Sequence, residues 1–430
     1  MRMRRRQSPL VRLLSPLRDF LHAEAAGGIL LVAAAVIAVA WANSPWSGSY
    51  RSLWDSQVGL TVAGHTLSLS LRLWLNDALM ALFFLVVGLE IRREVTSGHL
   101  ASRRAAALPA LAALGGMAVP ALLYLAIAGG SAPRGWGVPM ATDIALAVGV
   151  LALVGDRASG SMRAFLLGLA IVDDIGAIIV IAAFYSTGVT WGWLLAGAGA
   201  IAAVVAVRAA GVQWSGIYWI LGAICWLAFH EAGVHPTLAG VAMGLLAPVT
   251  PHLPSNLVDA EELSASLADV GSAEAAVETG RLARSSVSVV EWLLHVLHPW
   301  TSYLIVPLFA LANAGIEINR HIVSEAAGSA LAWGIFAGLV VGKPLGVTAA
   351  ARLAARSGVA EGITGTRRQL MGVGAAAGIG FTVALFVAEL AFDDPTHLAE
   401  AKLSILVASA VSAGLAAVTL MWQPRSSRTR

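Results

Sequence analysis

Two adjacent aspartates sit in the middle of an apolar run. Residues 166–183 read LLGLAIVDDIGAIIVIAA, with Asp173 and Asp174 at the centre, and the nearest charges are Arg163 and Arg208. A run of about 20 such residues is long enough to cross a bilayer as a helix. A carboxylate near the middle of a span costs roughly 2.5–3.5 kcal/mol on insertion scales, so a chain that keeps two is using them. The plainer alternative is a structural pair buried against partners. Helical neighbours point about 100° apart, so the two need not do the same job.

Composition extends this reading to the whole chain. The 430 residues are 58% hydrophobic and 12% charged, with a mean hydropathy of +0.77, whereas a soluble domain carries about 25% charge. The fold class expected is an all-α polytopic membrane protein with twelve spans. They fall at about 25–42, 74–95, 105–128, 136–154, the aspartate segment, 191–207, 217–232, 235–247, 300–315, 326–354, 369–392 and 401–422. Twelve spans put both ends on one side. On that side lie 22 of the 28 basic residues, five lie on the other, and Lys343 lies within the membrane. The bias places both termini in the cytoplasm of a multi-pass protein of the cell (inner) membrane.

The expected organisation is a basic N-terminal tail (1–24), one transmembrane domain (25–422) and a short tail (423–430). Ala40-Trp41-Ala42 imitates a cleavage site, but the apolar run is long and many spans follow, so the first helix is read as uncleaved. Residues 43–71 are too polar to span, and the alternation HTLSLSLRL predicts a short hairpin on the outer face. Residues 248–291 form a polar cytoplasmic loop with seven acidic residues. The single Cys225 excludes an internal disulfide and reads as a small core residue. Zinc spacing, an aromatic-interleaved basic surface and a phosphate-binding glycine loop are all missing from the sequence, so neither nucleic acid nor a bound cofactor is expected.

Several polar residues interrupt the apolar segments. Lys343 lies in LVVGKPLGV, and it is one of two lysines in a chain that otherwise uses arginine. A buried lysine can titrate or release a partner, whereas arginine stays charged. Asp173 or Asp174 is its natural partner, and a fixed salt bridge is the alternative. The fourth span is broken near Pro139, Thr142 and Asp143, and the eleventh near Gly378, Gly380 and Thr382. Paired breaks of this kind point to an ion site at the midplane. Asp143 and Lys343 are expected to offset the exposed helix-end charges there, with the two threonines supplying hydroxyls. Asp77 lies near the outer face. Glu90 and Glu94 share a helix face beside Arg93 and read either as a cation-attracting funnel or as a helix-end cluster. His235, His295 and His298 sit near expected helix ends and read as pH-responsive groups or as simple packing.

Taken together, these segments resemble the NhaA-type sodium/proton antiporters. The matching stretches are WLNDALMALFFLVVGLEIRRE, ATDIALAVGVLAL, LAIVDDIGAIIVIAAFY, GVHPTLAG, HVLHPW, PLFALANAG, GKPLG and GIGFTVALFVAELAF, spread over residues 25–422. The resemblance implies inverted repeats and a crossing of the two interrupted helices at Thr142 and Asp143. It implies an ion site at Asp173 and Asp174, with Asp174 favoured as cation ligand and Asp173 exchanging a proton or a bridge with Lys343. It also implies pH activation through Glu90, Arg93 and Glu94, and a homodimer with residues 43–71 near the partner. Two departures bear on the pH response: Glu291, Trp292 and Leu294 precede HVLHPW, and the acidic loop is long.

The expected activity is secondary active exchange of sodium or lithium for protons by alternating access, electrogenic and pH-regulated. The ions are cargo, and lipids are the surrounding partners. Alternatives are a passive cation channel and a cation-coupled solute symporter. An intramembrane aspartyl protease needs two aspartates on different helices, and the adjacent pair argues against an enzyme.

Overall fold

The computed structural model describes residues 26–62, 65–98, 100–155, 159–186, 188–212, 215–250, 287–357 and 366–422. The two expected tails and most of the acidic loop lie outside these residues. In chain order come α1 (Ala26–Ala42), α2 (Ser47–Trp54), β1 (Gln57–Val62), β2 (His65–Ser70), α3 (Leu71–Thr96) and α4 (Arg103–Ala128). A 3-10 helix (Pro133–Met140) leads to α5 (Ile144–Val154), α6 (Gly160–Phe184), α7 (Trp191–Ala209), α8 (Ser215–Ala232) and α9 (Thr237–Leu246). Then follow α10 (Val289–Asn313), α11 (Arg320–Gly328), α12 (Ala330–Arg356), α13 (Arg367–Ala377), α14 (Phe381–Ala391) and α15 (Pro395–Met421).

Eight of these segments are long and apolar enough to cross a membrane. Two bent pairs, α1–α2 and α13–α14, and the shorter apolar helices α8 and α9 overlie the remaining expected spans. Three boundaries differ from expectation. Helix α10 begins at Val289, well before residue 300, because Ser288 caps it by accepting from the Glu291 N–H at 3.2 Å. HVLHPW is therefore helical, and the acidic loop ends at Ser288. Residues 320–328 form a separate helix whose cap is Asn319, bonded to the Ile322 N–H at 2.8 Å. The hairpin is present, with Gln57 opposite Ser70 and Val62 opposite His65, but a helix precedes it. That helix, α2, turns 115° from α1. Its buried Tyr50 donates to the carbonyls of Leu311 and Ala312 at 2.8 and 2.9 Å.

Three wide π turns lie within these helices: Leu75–Leu79 in α3, Thr301–Ile305 in α10 and Gly338–Gly342 in α12. The second follows Pro299 and the third precedes Pro344. Proline lacks the N–H that an α-helix needs, and a locally wider turn accommodates the gap.

The chain divides into two compact units. One holds residues up to Asp55, Ala107–Asp173 and Val306 onward. Its core is built from small residues such as Ala112, Ala147, Ala351 and Ala376, with Leu151, Leu166, Leu169 and Val373 between them. Small residues let membrane helices approach closely, and packing rather than water exclusion then drives association. Here α4 meets α12 at Gly115 and Gly346, where a Cβ on Gly346 would lie 2.8 Å from the Gly115 carbonyl carbon.

The other unit holds Ser56–Ala106 and Asp174–Ile305. Leu85, Leu89, Val290 and Leu294 form one core, and Ala200, Cys225, Phe229 and Ala239 a second, so Cys225 is a packing residue. Helix α9 lies against α3 through Gly240 and Gly244. A Cβ on Gly240 would come within 2.9 Å of the Ala81 carbonyl carbon and 3.0 Å of the Leu85 nitrogen. The variant Gly240→Val must push α9 off α3, an overpacking that costs about 1–3 kcal/mol. Thermal unfolding of the detergent-purified protein should show a clearly lowered Tm, and an unchanged Tm would contradict this contact.

Candidate functional site

Inside one unit, two breaks in helical structure meet. The first is the extended stretch 141–143 between the 3-10 helix and α5; the second is Gly378–Gly380 between α13 and α14, bent by 46°. The backbone N–H of Asp143 donates to the Ile379 carbonyl at 2.6 Å. The Thr142 hydroxyl donates to the Ala377 carbonyl at 2.9 Å. A Cβ on Gly380 would lie 3.0 Å from the Ala141 carbonyl oxygen, which leaves little room for a side chain at the crossing.

One carboxylate serves the N-terminal ends of both second halves. Asp143 Oδ1 accepts from the Leu146 N–H at 3.0 Å and so caps α5. Its Oδ2 accepts from the Thr382 N–H at 3.1 Å and the Thr382 hydroxyl at 2.6 Å, at the start of α14. A negative group thus faces two positive helix ends. The opposite polarity is met as well: the Lys343 ammonium donates to the Met140 carbonyl at the end of the 3-10 helix.

The same ammonium is ion-paired with Asp173 Oδ2, and both side chains are fully buried. The Thr142 hydroxyl lies 2.5 Å from that oxygen as well, so its single hydrogen is shared between the carboxylate and the Ala377 carbonyl. The other oxygen, Oδ1, is buried with no hydrogen-bond partner among the described residues. Leaving a buried acceptor unmade costs about 1–3 kcal/mol. Asp174, the next residue of α6, is 7% exposed. The division between the two units falls between these two aspartates. Among the described residues, no group of three or more His, Cys, Asp or Glu could hold a resident metal ion.

The remaining expected residues lie in the other unit. Asp77 sits in the π turn of α3, with His230 Nδ1 3.6 Å from one oxygen and His235 Nε2 4.0 Å from the other. The Trp226 indole donates to the Asp77 carbonyl at 3.0 Å, and its ring stacks on Trp74 and His230. Glu90 is 3.9 Å from His298, and Glu94 is buried. Arg93 and Glu291 line one cleft of about 310 Å³ with Ser97 and Ser288. His295 is exposed on α10.

Comparison with known proteins matches residues 18–420 to the family described as Na+/H+ antiporter 1. The chain belongs to that family. Among its relatives, the Na(+)/H(+) antiporter NhaA of Oleidesulfovibrio alaskensis is 45% identical over 96% of this chain and 95% of its own length. The Na(+)/H(+) antiporter NhaA 2 of Myxococcus xanthus is 47% identical over 96% of this chain and 92% of its own. The Cupriavidus necator antiporter is 44% identical over 93% and 88%.

For this antiporter-family chain, sequence reasoning missed His230 as a partner of Asp77. The signal was there: His230 lies four residues after Trp226 on α8, the spacing that puts two rings on one helix face. It also missed the π turns, one holding Asp77 and one ending just before Lys343.

Replacing Asp143 by alanine would leave the buried N–H of Thr382 and that of Leu146 without an acceptor. A lost cap costs about 0.5–2 kcal/mol, and an unmet buried donor about 1–3 kcal/mol. Asp143→Ala should therefore lower the Tm of the purified protein more than Asp143→Asn, whose amide oxygen can still accept. Equal Tm values for the two variants would contradict the double cap.

Proposed function

We infer that this protein exchanges sodium or lithium for protons across the cell membrane, as a secondary transporter and not as an enzyme. Family membership supports that activity and disfavours a channel or solute symporter. The observation that carries the site assignment is the Asp173 carboxylate, with Lys343 and Thr142 on one oxygen and a bare, buried second oxygen.

In this reading the paired aspartates form one site that holds protons or a small cation, but not both. Asp174 is the cation ligand. Sodium prefers hard oxygen donors, which a carboxylate, the Thr142 hydroxyl and carbonyls at the breaks can supply. Asp173 exchanges its bridge: with Lys343 paired the site is at rest, and cation arrival releases the lysine or its proton. Asp143 and Thr382 hold the crossing together. Because one site is exposed to each side in turn, exchange is obligatory and needs no nucleotide. More than one proton per cation would make it electrogenic.

The finer features belong to the same proposal. Residues 25–422 act as one transporter domain in the inner membrane with both termini cytoplasmic, in line with the basic-residue bias. Glu90, Arg93, Glu94, His295 and His298 form the cation funnel and pH-responsive region, with Asp77 and His235 a second such group. A second copy pairs through the hairpin region to give a homodimer.

The test is dissipation of a proton gradient in everted membrane vesicles on adding NaCl or LiCl, from neutral to alkaline pH. Wild-type protein should collapse the gradient, and Asp174→Asn should not. No collapse by wild type at any pH would overturn the exchange reading, while collapse that survives Asp174→Asn would move the site elsewhere.

A further inference from the structure

The chain contains two lysines against 26 arginines. Both lysines are buried and each is paired with a carboxylate, Lys343 with Asp173 and Lys402 with Glu389. The first pair belongs to the transport site. The second lies on α14 and α15, at Lys402 Nζ to Glu389 Oε1 of 2.5 Å, with side-chain exposures of 7% and 17%.

Glu389 occupies an unfavourable place. It lies in the last turn of α14, where the helix end is already negative and an acidic side chain is destabilising. Partial burial adds a desolvation penalty that a close cation offsets. The residue is tolerable there because Lys402 reaches it from about two turns inside α15.

Helix α14 is short, at 11 residues, and has a non-helical stretch at each end. Every side chain from Phe381 to Ala388 is buried, and the helix start is tied to Asp143 through Thr382. Its far end is tied by Glu389 to α15. Helix α15 is in turn bonded to the start of α12: the Ser329 hydroxyl donates to Glu400 Oε2 at 2.5 Å, and the Ser404 hydroxyl donates to the Ala332 carbonyl at 2.6 Å. Helix α12 carries Lys343. A circuit of polar contacts thus runs from Lys343 along α12 to α15, through the Lys402–Glu389 ion pair into α14, and back to the crossing at Asp143.

We propose that the Lys402–Glu389 ion pair is a latch that positions α14, and through Thr382 and Asp143 the crossing beside the cation site. The pair touches no transported ion; both are positioning residues. With the latch open, α14 is held at one end only, and the Thr382–Asp143 bonds must restrain the whole half-helix.

This inference takes the proposed exchange for its transport readout. In everted vesicles, Glu389→Gln and Lys402→Met should each raise the apparent KM for sodium about tenfold or more while Vmax stays near wild type, because a displaced positioning element weakens the bound geometry. The charge-swapped double variant, Glu389→Lys with Lys402→Glu, should recover most of the loss. If Glu389→Gln fails to accumulate in the membrane, Glu389→Asp is read instead and should shift KM in the same direction. Amide hydrogen exchange on the purified protein gives an independent measure. Glu389→Gln should speed exchange across residues 381–391 and leave 144–154 unchanged. Wild-type KM in both single variants, a swap no better than either, or unchanged exchange in α14 would each overturn the latch. A wild type without sodium-dependent proton movement would overturn the exchange reading alone, and hydrogen exchange would still decide the latch.

Discussion

A backbone that leaves its helix inside a bilayer must find a partner for every N–H and C=O it frees, because the lipid supplies none. In this protein two chains of peptide units do so at one place, and they satisfy each other. Asp143 donates its own N–H to Ile379 and accepts at two helix starts; Thr142 closes the Ala377 carbonyl. The crossing is therefore held by a carboxylate and an ammonium together with backbone and hydroxyl bonds. Once a carboxylate and an ammonium are required to neutralise helix ends, the site already has the low-dielectric, polar interior that a proton or small cation can enter. The proposed ion site and the structural solution share atoms.

Charge placement follows the same economy. The Lys343 ammonium meets a carbonyl end and a carboxylate together, which a compact, flexible cation does more easily than a planar guanidinium. Apart from Lys402 and the histidines, the basic residues elsewhere are arginine. That contrast separates groups that need a fixed positive charge from those buried where a proton or partner can be given up.

Much of the crossing was readable from residue order. Apolar runs of span length marked the helices, and Pro139, Thr142 and Asp143, with Gly378 and Gly380, marked where two of them stop. That Lys343 pairs with Asp173 or Asp174 was also foreseeable, since a buried ammonium needs an anion; the choice of Asp173 came only from the family resemblance. What was not legible depends on distance across the fold. Nothing local says that Asp143 caps the start of α14 as well as α5, and the Trp226–His230 spacing gives a shared helix face without saying that Asp77 faces it. The start of α10 was misplaced because a polar stretch ending in Ser288 reads as loop on hydropathy, while its capping hydroxyl starts a helix. The hairpin came through on alternation, but the helix before it is only eight residues long, so the spacing of Tyr50, Leu53 and Trp54 is lost in a polar stretch.

The wide turns in α3, α10 and α12 carry a consequence for how such helices change over time. Each accommodates one more residue per turn than its neighbours, so it behaves as an insertion that the helix has absorbed without breaking. Every side chain beyond it is rotated by about 100° relative to an unbroken α-helix. In α12 the rotation is taken up just before Lys343. Loss of one residue from Gly338–Gly342 would restore regular winding and turn Lys343 away from Asp173 and Met140, while every residue of the site remained in the sequence. The address of the lysine is written in the spacing of apolar residues that touch no ion.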